Sequence, residues 1–320
     1  MPKISVMMPA YNAEYFIEEA LDSILLQDFQ DFQIVVSDDA STDGTARIIK
    51  NYQEKYPDKI IAIYNSTNIG VTANCNMALA HCTGEYVSLF AGDDVMLQGK
   101  FSQQVALMDA EPDCVLCYHP VEIFESSSEK ILHVTNQHSR DDVHSTEDLL
   151  LKGGIPGGCS IMVRRNAIPD GGYDSRLKTV SDWLFFLEIS TRGRVLKIAN
   201  VLARYRKHAG GESKRTYELL DESIRALDIF LENDAEREIY RNSINRAKAR
   251  YIAGESVRQL ANSGQNAINL AKKAISYERS NYKYITILLV AVLVRYVPGV
   301  KFFWRLVFNK LQYVLKREFG

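Results

Sequence analysis

Between Lys3 and Leu89 the chain alternates short apolar runs with stretches of helical spacing, and this rhythm constrains the fold more than any other feature. "KISVMMP", "DFQIVVSDD", "KIIAIYN" and "EYVSLF" read as strands. Between them, "AEYFIEEALDSILLQ" places Phe16, Ile17, Ala20, Leu21, Ile24 and Leu25 on one helical face. "STDGTARIIKNYQEKY" opens with Ser/Thr/Asp capping chemistry, and "VTANCNMALAHC" reads as a third helix. A βαβαβαβ order predicts an α/β fold, a mostly parallel sheet between helices. Such sheets bind ligands beyond the C-terminal ends of their strands, where the strand order reverses. Those ends carry Pro9-Ala10-Tyr11-Asn12, Asp38-Asp39, Asn65 with Asn68, and Asp93-Asp94.

The later chain is less regular. "DCVLCYH" reads as a strand, and residues 125–146 as a polar loop or edge hairpin. "GGCSIMVRR" is a strand, "VSDWLFFLEISTRG" an apolar helix, "VLKIANVLARYRKH" one strand, and "HAGGES" a flexible loop. From about Thr216 the pattern is helical to the end. Five cysteines (75, 82, 114, 117 and 159) sit in apolar surroundings, and no second pair completes a zinc ribbon. Free buried thiols in a reducing cytoplasm are the expectation, with no signal peptide at the N-terminus. A net charge of −2 gives no global electrostatic case for nucleic acid. The balance is uneven, however: seven Lys/Arg face a single acid between Asn281 and Gly320.

Two adjacent carboxylates at the mouth of an apolar strand repel each other and are costly to desolvate. Helix capping accounts for one such acid, but two pairs at two strand ends suit a divalent cation and a nucleotide better. Mg²⁺ or Mn²⁺ typically takes one or two carboxylates plus substrate phosphates. Neither a phosphate-binding Gly-x-x-x-x-Gly-Lys-Ser/Thr loop nor a dinucleotide Gly-x-Gly-x-x-Gly is present. Asp182 begins an apolar helix, where it can cap or act as a general base. Trp183 can stack on a sugar or fill a core. His208 can face solvent or hold a metal.

"SVMMPAYNAEYFIEEALDSILLQDFQDFQIVVSDDASTDGT", "NIGVTANCN", "GEYVSLFAGDD", "GGCSIMVRR", "GGYDSRLKTVSDW" and "YRKHAGGES" follow one another in an order that resembles the family 2 glycosyltransferases. These are inverting enzymes of GT-A fold, and the resemblance covers roughly residues 3–213. It implies that Pro9, Tyr11 and Asn12 lie beside the nucleotide base and that Asp39, with Asp38, accepts from base or ribose. It implies further donor contacts from Asn68, Asn76, Arg204 and Arg206. Asp93 and Asp94 match the metal-binding acids, which set the ion on the donor diphosphate. His208 matches a histidine that reaches the metal or diphosphate. Asp182 matches the general base, with Trp183 beside the acceptor. The chain departs from the family pattern at Ala91, where an Asp is usual, at Cys75, where a basic residue is common, and at Ser181, where Glu is frequent.

The resemblance implies a catalytic domain over residues 1–215, with a nucleotide-sugar half (1–110) and an acceptor half (111–215), and then a helical region (216–320). No Gln-x-x-Arg-Trp follows the base, so transfer should be non-processive. The implied donor is a UDP-sugar and the acceptor a saccharide or lipid-linked glycan of bacterial surface-polysaccharide assembly. A sugar nucleotidyltransferase and a non-catalytic nucleotide- or glycan-binding scaffold are the alternatives. "ITILLVAVLV" is too short to span a bilayer, which needs ~20 apolar residues. From Lys301 onward, Lys301, Arg305, Asn309, Gln312 and Lys316 make a polar stripe on an aromatic-rich helix. That pattern predicts peripheral contact with an anionic membrane, on its cytoplasmic face.

Overall fold

The computed structural model describes residues 1–138, 142–208, 219–260 and 264–297. The basic stripe predicted from Lys301 lies outside the described residues. In chain order the regular elements begin β1 (Ile4–Ala10), α1 (Ile17–Leu25), β2 (Phe32–Asp38), α2 (Thr45–Lys55), β3 (Ile60–Tyr64), α3 (Val71–Leu79) and β4 (Tyr86–Leu89). There follow β5 (Val95–Met96), α4 (Lys100–Ala110), β6 (Cys114–Tyr118), β7 (Val121–Glu125), β8 (Ile131–Val134), α5 (Thr146–Lys152), β9 (Met162–Arg164), α6 (Ser181–Ser190), β10 (Arg194–Lys197) and β11 (Ala203–Lys207). Four helices complete them: α7 (Leu219–Glu232), α8 (Arg241–Gln259), α9 (Gly264–Tyr277) and α10 (Tyr282–Tyr296).

β1 is apolar on both faces because it lies mid-sheet with helices above and below. It pairs in parallel with β2 on one side and β4 on the other. The seven-stranded order is β10-β6-β9-β4-β1-β2-β3, with β9 antiparallel to both its neighbours. Register sets Ala10 beside Asp38, and Asp38 beside Tyr64, so the polar strand ends form one rim. A second sheet, β5-β11-β7-β8, stands against this rim's acids. β7 and β8 form the edge hairpin expected in the 125–146 region. The predicted single strand "VLKIANVLARYRKH" is instead two. Its first part joins β6, the chain turns at Asn200, and its second part pairs with β5 and β7. One apolar run thus serves both sheets.

By contacts the chain divides into Met1–Leu149 with Gly154–Lys214, and Leu150–Gly153 with Arg215–Gly320. The first unit contains both sheets. In the second, Ala249, Ala253, Ala267, Ala271, Ala274 and Ala291 are buried, and their small side chains let α8, α9 and α10 pack closely. All five cysteines are free and buried, as their surroundings predicted.

Candidate active site

The first cluster closes over the ends of β1 and β2. Asp38 accepts from the Ser41 hydroxyl (2.5 Å) and the Ser41 backbone N–H (3.2 Å). Asn12, held at φ 47°, donates its N–H to Ser41 Oγ and accepts at Oδ1 from the Thr42 N–H (both 2.9 Å). Both oxygens of Asp39 are engaged: Oδ1 accepts from Asn65 Nδ2 (3.1 Å) and the Ile69 N–H (2.8 Å), and Oδ2 from the Gly70 N–H (2.9 Å). Asp39 therefore pins the β3–α3 loop, on which Asn68 is exposed. Tyr11 is exposed beside Asn12, and Pro9 lies one step back on β1. Tyr11, Asn12 and Asn68 present polar or aromatic groups to solvent on the rim, whereas Asp38 and Asp39 are buried and shape the loops.

The second cluster answers how Asp93 and Asp94 coexist: each has its own partner. Asp94 is buried, and its Oδ1 accepts from the Arg206 backbone N–H (3.0 Å) across the β5–β11 pairing. Burial, and then Asp93 alongside, push its carboxyl well above the usual range. Asp93 is 31% exposed and sets Oδ2 3.0 Å from Nε2 of His208, whose ring packs on Phe16. The Arg206 side chain is only 4% exposed. Its Nε donates to the Asp93 carbonyl (2.8 Å) and its Nη2 pairs with Glu19 (2.5 Å), while the guanidinium lies over Phe16 and Phe124. Arg206 was expected on the donor. It is instead spent internally, bracing the acidic turn from behind. Arg204 pairs with Glu129 (2.9 Å) over the face of Phe124. Gly92 precedes the acids because a Cβ there would meet Ile17 Cδ1 at 2.6 Å. Among the described residues no three His, Cys, Asp or Glu converge as a full metal shell. Asp93 with His208 nevertheless suits Mg²⁺ or Mn²⁺, ions that draw much of their coordination from phosphate and water.

The third cluster sets Asp182. The buried Thr72 hydroxyl, in the first turn of α3, lies 2.8 Å from both the Leu177 carbonyl and Ser181 Oγ, so α3 fixes the start of α6. Asp182 follows, with Oδ1 accepting from the Trp183 N–H (2.7 Å). Its side chain reaches solvent, while the protein atoms around it strip part of its water and raise its carboxyl pKa. Cys75 lies within electrostatic reach of both Asp182 and Asp39. Burial first, then those two carboxylates, push its thiol up to about 12. Trp183 is a correction: it is 5% exposed, and its indole N–H donates to the Leu149 carbonyl (3.1 Å), so it is core and offers no face to a sugar. Asn76 is another. Its amide accepts from the Tyr173 N–H and donates to the Tyr173 carbonyl, both at 2.8 Å. Gly172, at φ +64°, leaves that amide room. The roles of Thr72, Glu19 and Phe16 carried no motif, because each acts through a partner distant in sequence.

A parallel sheet with one antiparallel strand, its acids gathered on one rim and answered by a smaller sheet, defines a GT-A protein. The chain superposes on S. aureus TarS 1–349 in complex with UDP-GlcNAc with a TM-score of 0.65 at 19% identity, covering 93% of this chain and 88% of that one. The mannosyltransferase PcManGT from Pyrobaculum calidifontis, in complex with GDP-Man and Mn²⁺, superposes at 0.58 and 19% identity, covering 98% and 85%. Residues 5–170 match the model of glycosyl transferase family 2, and the chain belongs to that family. It is 30% identical over 222 residues to the putative glycosyltransferase EpsE of Bacillus subtilis, covering 68% of this chain and 77% of EpsE. It is 34% identical over 212 residues to the uncharacterized protein Rv1520 of Mycobacterium tuberculosis, covering 65% of this chain. The chain spans 60% of the length of that mycobacterial relative.

Proposed function

We propose that the protein is an inverting, non-processive glycosyltransferase that moves one sugar from a nucleoside-diphosphate donor to a saccharide or lipid-linked acceptor. One observation supports the reading: the unit that contains the family 2 match carries both a carboxylate–imidazole pair (Asp93, His208) and a separate, solvent-reached carboxylate (Asp182). The base rests near Pro9, Tyr11 and Asn12, with Asn68 along the donor, and Arg204, like Arg206, is held by internal partners. A complex of TarS with UDP-GlcNAc favours a uridine donor.

A divalent ion held by Asp93 and His208, with Asp94 behind, would neutralise charge on the leaving diphosphate. The chain's own groups do the rest. Asp182 takes the proton from the acceptor hydroxyl as its oxygen bonds to the anomeric carbon. The bond from that carbon to the diphosphate oxygen breaks, its electron pair leaves with the nucleoside diphosphate, and configuration inverts. The acceptor belongs to surface-polysaccharide assembly, and the protein works at the cytoplasmic face of a membrane. Among the described residues no helix is long and apolar enough to cross one.

The test is incubation with sugar nucleotides. Release of nucleoside diphosphate that EDTA abolishes and Mn²⁺ restores, and that Asp93→Asn lowers at least tenfold, is expected. Pyrophosphate chemistry would instead mark a nucleotidyltransferase, and turnover undiminished in EDTA would remove the metal. Binding with no turnover toward any acceptor would leave a scaffold.

A further inference from the structure

Helix α10 is apolar on two opposite faces, and the family match accounts for neither. Tyr284, Ile287, Ala291 and Val294 are buried against α8 and α9. Tyr282, Ile285, Leu289, Val292 and Tyr296 repeat at three- and four-residue steps on the other side, joined by Leu293, and all are exposed. Leu289 is 60% exposed and Tyr282 73%. Thr286 lies among them, but its hydroxyl donates back to the Tyr282 carbonyl (3.0 Å) and so asks nothing of water. An ordered apolar stripe of this kind on a packed helix marks a surface that something covers.

Charge selects what covers it. α10 contains no acid, and exposed Lys283 and Arg295 stand near its two ends, Arg295 with its stem against Gly264 of α9. A second copy packed on the stripe, antiparallel or parallel, sets one acid-free basic helix against another. Neither arrangement finds an acid on the helix to compensate, and such juxtaposition is costly. The following sequence, residues 298–320, has five Lys/Arg against Glu318 and is no better matched in charge. Tyrosines stand at both ends of the stripe, as suits a helix lying at headgroup level. At ~1.5 Å per residue, α10 is roughly 22 Å long, short of the ~30 Å hydrocarbon core. It can lie in the interface but not span it.

The geometry points to the Tyr282–Tyr296 stripe as the docking surface for an anionic bilayer, with Leu289 and Leu293 entering the acyl boundary and Lys283 and Arg295 at the headgroups. This inference rests on the reading of the protein as a peripheral membrane enzyme, and it assigns that contact to a folded face.

The experiment is co-sedimentation of the full chain with phosphatidylcholine vesicles, with and without 30% phosphatidylglycerol (about a third anionic headgroups). The variants are Leu289→Glu/Leu293→Glu, Lys283→Glu/Arg295→Glu, and a chain ending at Val297. Both leucines are exposed, so the first variant should keep its circular dichroism and melting temperature. The expected result is binding that needs phosphatidylglycerol, falls at least tenfold in both double variants, and survives in part when residues 298–320 are absent. Wild-type binding by the Leu289→Glu/Leu293→Glu variant would overturn the stripe while leaving membrane association to the later residues. No vesicle binding by the unaltered chain would overturn the membrane reading and the stripe together. Concentration-dependent dimerisation that the same variant abolishes, without vesicle binding, would make the face a contact between copies.

Discussion

Asp93, Asp94 and Asp182 are three carboxylates whose surroundings give them three different tasks. Asp94 is buried and answered by a backbone N–H, Asp93 faces an imidazole, and Asp182 is crowded yet open. Crowding raises the Asp182 pKa, and the sign matters twice. A base must be ionised to accept a proton, so turnover should rise with pH through a value above the ordinary carboxylate pKa of about 4. A carboxyl whose pKa is raised in the folded state contributes stability at pH below its unfolded pKa, and that stability is lost as pH rises through the folded value. Asp182→Asn should therefore lower turnover by roughly 10²–10⁴-fold and remove the acid limb of the rate profile. At neutral pH it should also melt higher than the parent, because the desolvated charge is gone. A variant with near-parental turnover would take Asp182 out of the base role, whereas one that melts lower would contradict the raised pKa. The doubled acids were legible in the sequence because the cost of desolvating them demands a compensating partner. Which acid faces outward was not, since that depends on the backbone of Arg206, 112 residues away. Trp183, Asn76 and Arg206 misled for a related reason: an indole, an amide and a guanidinium that suit a sugar nucleotide suit a backbone carbonyl equally well.

At the scale of elements, α3 ties the Asp39-held loop to the start of α6, which on the proposed reading are the donor and acceptor sides. Its entry loop is pinned by Asp39, and its Thr72 hydroxyl holds the Leu177–Ser181 segment that launches α6. Thr72→Val keeps the shape but leaves the Leu177 carbonyl unpaired, a cost of about 1–3 kcal/mol. Since small displacements of a reacting group can cost up to ~10²-fold, we expect kcat to fall by about 10- to 100-fold with little change in donor KM. Steady-state kinetics on a sugar nucleotide checks this; an unchanged kcat, or a loss confined to KM, would place α3 on the donor side alone. The elements from Lys3 to Leu89 were readable because periods of 2 and 3.6 follow each other cleanly there, whereas β5 and α4 were not read. Residues 194–207 were not, because one apolar run is shared between two sheets and only tertiary pairing separates Lys197 from Ala203. α10 shows the same limit. Its ten-residue apolar run read only as too short to span a bilayer, and burial on one side with exposure on the other emerges only once α8 and α9 are in place.

At the scale of the whole molecule, the candidate catalytic residues lie in one compact unit and the exposed apolar stripe of α10 in the other. Residues 282–297 supply buried side chains to the second unit, so a truncation that tests membrane contact without disturbing that core must end at Val297 or beyond. The central claim is a single in-line displacement with one base opposite the leaving diphosphate, and its stereochemical consequence can be read without knowing the natural acceptor. Water can stand in for the acceptor hydroxyl. With an α-linked UDP-sugar and Mn²⁺, proton NMR should show the β-anomer of the free sugar first, before mutarotation mixes the signals, and Asp182→Asn should suppress that burst. Initial release of the α-anomer would contradict the account.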